Sequence, residues 1–156
     1  MSKSVRRVER AAAELGLDIT VKRMDESTRT AEDAAAACGC DISQIVKSLV
    51  FQSRDSGDLL LLLVSGANKV DMDLAAQVIG EPLGRADANE VRARTGFAIG
   101  GVSPIGHLEP PEIWIDETLI ALPTVWAAAG APDAVFEITP EALVKATGAK
   151  VAKLSA

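Results

Sequence analysis

Six consecutive apolar residues, Leu59 to Val64 within LLLLLVSG, constrain this chain more than any other feature. Successive side chains of a strand point to opposite faces. A strand written this way must therefore be covered on both faces. The run is far short of the roughly 20 apolar residues that cross a bilayer. It reads as a buried strand. Just upstream, SLVFQS is β-prone and RDSGD is a turn, so the two segments read as a hairpin.

Around the hairpin the pattern alternates helix and strand. Val5, Val8, Ala12 and Leu15 step by three and four residues and mark one helix face, with Gly16 as its stop. Ile19 and Val21 alternate with polar neighbours, as in a short strand reaching about Met24. TRTAEDAAAACG is a helix with Thr30 as N-cap and Gly39 at its end, and Asp41 caps a short turn after it. Asp71 opens a helix closed by Gly80, and Asp87 with Glu90 opens one closed by Gly96. IWIDETLI, TVWAAAG and AVFEI read as short strands. Thr139 and Pro140 begin the last helix, which Gly148 ends. About five helices flank about six strands joined in part by short turns, which predicts an α/β (α+β) domain with a mixed sheet.

The 156 residues fit one domain spanning 1–156. MSKSVRRVER is basic but leads into no apolar run, so no secretory signal is expected and a cytoplasmic placement is. A net charge of −6 argues against broad binding to nucleic-acid backbone, while leaving room for one RNA end at a local basic patch. With no Tyr, three Phe and two Trp, base-stacking platforms are not expected. Cys38 and Cys40 form C-G-C beside a single His in the whole chain, which does not make an ordinary zinc site. They read as buried free thiols.

No P-loop, G-x-S-x-G, H-E-x-x-H or dinucleotide glycine motif is present. Two features remain. Lys47 lies among Ile42, Ile45, Val46, Leu49, Val50 and Phe51, followed by Ser48. It is either a lysine whose stem snorkels to water or a cation fixed at a pocket wall. Thr95 to His107, TGFAIGGVSPIGH, is too rich in Gly and Pro for regular structure. Its glycines suit either a tight connection or a set of backbone donors for an anion or oxyanion. His107 is a structural or a functional imidazole, and Asp116 a turn carboxylate or a pocket residue. A cation with backbone donors suits a phosphate, a carboxylate or an ester oxyanion, and no protein base stands beside them.

The blocks CGCDISQIVKSLVF, LLLLLVSGANKVDMDLAAQVIG, RARTGFAIGGVSPIGH and WIDETL, in that order, resemble the YbaK family. These are the prolyl-tRNA synthetase-associated editing domains and their free-standing relatives. The resemblance runs from about Val5 to Val151. It implies a compact domain with a curved mixed sheet. It also implies a trans-editing hydrolase that removes a small amino acid from mischarged tRNA for proline, by metal-free, substrate-assisted ester hydrolysis with no cofactor. Lys47 and Gly101 then correspond to the catalytic positions. Ser48, Gly100, Val102, Ser103, Pro104, His107, Asp116 and Ala128 line the substrate site. The implied partners are the 3′ end of an aminoacyl-tRNA and a prolyl-tRNA synthetase, with no membrane and no DNA.

One departure narrows this. Cysteine-specific members carry a serine and an aspartate where this chain has Ala128 and Val135. An apolar wall from Ala127 to Ala129 suits a small aliphatic side chain, and pocket size alone discriminates weakly. Two alternatives are a non-catalytic adaptor for tRNA or synthetase, and a small-anion-binding protein.

Overall fold

The computed structural model describes residues 3–24 and 30–155. Thr28 and Arg29, which begin the TRTAEDAAAACG segment, lie outside them. The apolar run forms β3 (Leu59–Ser65), buried at every position. Its alternation divides the interior in two. Leu59, Leu61 and Leu63 face the larger core, with Val5, Val8, Phe97, Ile115, Phe136 and Leu143. Leu60, Leu62 and Val64 face a second core with Ala75 and Leu154.

β3 pairs antiparallel with β2 (Val46–Ser53), the expected hairpin. On its other side lies β5 (Glu112–Asp116), parallel, followed by β8 (Lys150–Ala152), also parallel. β4 (Leu83–Arg85) adds antiparallel to the outer edge of β2 through Phe51, Gln52 and Ser53. The sheet is thus mixed, as the short turns implied. A second, three-stranded antiparallel sheet runs β1 (Val21–Arg23), β7 (Ala134–Ile138), β6 (Val125–Ala128). One parallel bridge, Ile45 with Trp126, ties it to the start of β2. Between that bridge and the β4 pairing, Val46 to Val50 have no ladder pairing on their outer side among the described residues.

The helices begin where their caps sit. The Thr30 hydroxyl accepts from Asp33 N–H at the head of α2 (Ala31–Cys38). Asp71 caps α3 (Met72–Ile79), Asp87 caps α4 (Ala88–Thr95) and Thr139 caps α6 (Pro140–Thr147). Asp41 and Gln44 form a capping box around a 3₁₀ turn, Ile42–Gln44, which delivers the chain into β2.

Four details differ from the sequence reading. α1 (Lys3–Glu14) stops before Leu15, which is left exposed. IWIDETLI is a strand only to Asp116; Glu117–Ile120 turn into a short helix, α5. β4 and β8 were not foreseen, because three-residue strands carry too little alternation to register. The thiols of Cys38 and Cys40 are free but only partly buried.

Because β3 separates two cores, truncation on either face should be costly. Leu61→Ala and Leu62→Ala are each expected to destabilise the fold by about 2–5 kcal/mol in urea titrations. A one-sided sheet would tolerate one of them.

Candidate active-site groove

The unpaired length of β2 forms one wall of a groove of about 1040 Å³. Ser48, Leu49, Val50 and Phe51 line it from the strand, so it reaches both faces of the β2 edge, with Gly100 and Val102 from the glycine loop and Ala86 and Ile99 from the flanks. Arg54 and Arg85 stand in its lining as well. The Arg54 guanidinium lies across Gly84, where a Cβ would fall 2.0 Å from Arg54 Nε. A glycine in that short strand is what admits the arginine.

The glycine loop owes its shape to three contacts. Gly101 N–H donates to the Ala98 carbonyl at 3.0 Å, closing a turn with Gly100 at φ 97° in its third position. A Cβ on Gly101 would come within 3.0–3.2 Å of the Ala131 backbone, so the loop packs directly on the turn between β6 and β7. Ser103 is fully buried, and its hydroxyl accepts from Ile105 N–H. Among the described residues, the N–H groups of Gly100 and Val102 make no hydrogen bond. Neither does the buried Ser48 hydroxyl, which lines the same groove. Buried polar groups without partners are uncommon. The Ser48 hydroxyl is one of them, and it shares its groove with Gly100 and Val102.

The sequence-predicted residues are not all brought together. Ser48, Gly100 and Val102 share the groove. Gly101 does not serve as a backbone donor, because the turn has already taken its N–H. Lys47 shares the strand parity of Leu49 and Phe51, which pack on the second core, so it leaves β2 on the face opposite Ser48. Its ammonium donates to the Asn68 carbonyl. Burial, then the nearby Lys69 charge, holds its pKa below the ordinary lysine value, with Glu32 opposing them. Asn68 in turn donates to Thr118 Oγ1 at 3.1 Å, and Thr118 donates to Asp116 at 2.6 Å.

Asp116 is a correction to the substrate-site set. It is buried and accepts from Leu154 N–H, Ser155 N–H, Ser155 Oγ and Thr118 Oγ1, clasping the C-terminal segment. Burial pushes its carboxyl up, but these four donors together outweigh that and hold it low. Pro104 and His107 are also displaced from the groove: both line a separate cleft beside α1. Ala128 stands directly opposite Val135, so the two positions that depart from the cysteine-specific pattern are cross-strand neighbours. Ala127 and Ala129 point into the main core, leaving Ala128 alone of the three turned away from it. Extending the Ile45–Trp126 register by two residues sets Ala128 level with Lys47.

An aminoacyl-tRNA editing domain model matches residues 25–146. The chain belongs to that family. The uncharacterised protein YwhH of Bacillus subtilis is 36% identical over 132 residues, covering 84% of this chain and 83% of that one. A crystal structure described as a candidate trans-editing enzyme for prolyl-tRNA synthetase is 47% identical. It superposes with a TM-score of 0.94 over 100% of this chain and 99% of the other. A proline–tRNA ligase of Limosilactobacillus fermentum is 30% identical over 102 residues, 63% of this chain and 18% of the ligase. Among the described residues, no helix is long and apolar enough to cross a membrane.

His107 gives this region a pH signature. Its Nε2 lies 2.5 Å from the Ser103 carbonyl, which can only accept, so Nε2 carries the proton and Nδ1 is bare. Nδ1 is buried and unpartnered among the described residues. Burial, with the Arg7 charge adding to it, pulls the imidazole down to about 4 against the favourable bond to Ser103. The folded state therefore resists protonation. The stability it confers is complete above about 6.5 and is lost as pH falls toward 4, on the order of 3 kcal/mol over that window. Urea midpoints measured across it should fall more steeply for the wild type than for His107→Gln. Parallel curves would show that His107 is not the group responsible.

Proposed function

We propose that this protein hydrolyses the ester of a small amino acid mischarged onto tRNA, acting in trans on tRNA for proline. The observation that carries the reading is that one groove is lined by Ser48, whose buried hydroxyl has no partner among the described residues, and by Gly100 and Val102, whose N–H groups make no hydrogen bond there. Backbone donors fixed by a rigid turn suit an oxyanion that develops on a carbonyl. Water attacks the ester carbonyl, its oxygen takes negative charge facing Gly100 and Val102, and the ribose oxygen leaves with a proton. Ser48 holds the substrate beside them.

The base comes from the substrate. The one carboxylate lining the groove, Asp87, is engaged in capping α4 through Glu90 N–H. A neighbouring ribose hydroxyl of the terminal nucleotide is correctly placed in the molecule itself to assist. Lys47 exchanges the Asn68 carbonyl for the phosphate or aminoacyl end of the substrate. Arg54 and Arg85 supply positive charge along the groove for the preceding phosphates, a local patch on a chain of net charge −6. Val50, Ala86, Val102 and Ile99 give the groove an apolar lining that suits a small aliphatic side chain. The likeness to a candidate trans-editing enzyme and to a proline–tRNA ligase supports tRNA for proline, with the synthetase as a partner.

A panel of mischarged tRNAs tests the reading. Wild type should release a small amino acid, fastest from tRNA for proline. Lys47→Ala should lower kcat/KM about 100-fold and Ser48→Ala about 10-fold. A panel left intact at micromolar protein overturns it. Tight binding of tRNA or synthetase without turnover would select an adaptor instead.

A further inference from the structure

The glycine loop is held from outside by a residue that the family model does not reach. Arg7 lies on α1, before the matched segment 25–146. Its Nε donates to the Gly106 carbonyl and its Nη2 to the Gly96 carbonyl, both at 2.7 Å. The guanidinium carbon stands 4.6 Å from the centre of the Phe97 ring. One planar side chain thus grips both ends of the segment that contains Gly100 and Val102. The sequence is cut to admit it. A Cβ on Gly96 would fall 2.3 Å from Arg7 Nη2, and one on Gly106 would meet the Arg7 carbonyl at 3.3 Å. Phe97 continues the contact edge-on to His107, centroids 5.2 Å apart, and His107 holds the Ser103 carbonyl.

We propose that Arg7 is a positioning residue for the reaction. By fixing the separation of the Gly96 and Gly106 carbonyls, it keeps the Gly100 and Val102 N–H groups directed into the groove. It touches no substrate. A guanidinium is suited to this because its fork makes two bonds in fixed directions while its face stacks on a ring, whereas an ammonium cannot do both. A loose loop would still bind tRNA but would meet the oxyanion with its donors misplaced. The expected signature is therefore a loss in kcat, not in KM.

This rests on the deacylase reading, so the test has an arm that does not. Arg7→Ala and Arg7→Lys are compared with wild type for kcat, KM, thermal midpoint and amide exchange of residues 97–106 by mass spectrometry. The expected result for Arg7→Ala is a fall in kcat of about 10- to 100-fold with KM nearly unchanged. Exchange should rise in the loop but not in β3. Added guanidinium should restore part of the kcat of Arg7→Ala, and Arg7→Lys should recover only part of the wild-type rate. Unchanged loop exchange in folded Arg7→Ala overturns the proposal. So does exchange that rises throughout the chain in both variants, or a loss of kcat that guanidinium does not relieve. If wild type turns over no tRNA in the panel, the deacylase reading falls, and the exchange arm alone decides whether Arg7 positions the loop.

Discussion

Burial of β3 on both faces is the constraint from which the rest follows. A strand of unbroken leucine leaves no solvent face, so the chain must supply two packed layers and a partner on each side. The larger layer recruits α1, the glycine loop and the second sheet. The smaller recruits α3 and the C-terminal segment. β2, tied to β3 along most of its length, is covered on its other side only by the short β4 and the bridge at Ile45. The unpartnered Ser48 hydroxyl lies on that stretch.

Much of this was readable in the residues. Caps at Thr30, Asp71, Asp87 and Thr139 announced their helices because a side-chain oxygen at an N-cap has a local, obligatory partner. The hairpin was legible because its turn and its apolar run are contiguous. What escaped were features fixed by tertiary contact. Leu15 carries the right spacing but falls past the end of its helix, and β1 joins the second sheet through pairings more than a hundred positions apart, such as Val21 with Phe136.

The site shows the same division. Gly-rich sequence signalled a loop with backbone to offer, and Ser48, Gly100 and Val102 do meet in one groove. Sequence could not say that the turn would claim the N–H of Gly101, nor that the Asn68 carbonyl would take the Lys47 ammonium. From the residues alone Asp116 was a turn carboxylate or a pocket residue, and only the family resemblance put it in the substrate site. Its four donors come from Thr118, Leu154 and Ser155, and a clasp of that kind is invisible until the C-terminus is folded back. Arg7 was passed over because nothing nearby in sequence marks it. Its partners stand 89 and 99 residues away.

The gap along β2 has a second consequence, for assembly. An exposed strand edge is a template on which another chain can add a strand. Here the bridge at Ile45 closes one end and the pairing with β4 closes the other. The five residues left between them, 46–50, span roughly 17 Å. The edge left open is thus confined to one short stretch, bracketed on both sides by the chain's own pairings.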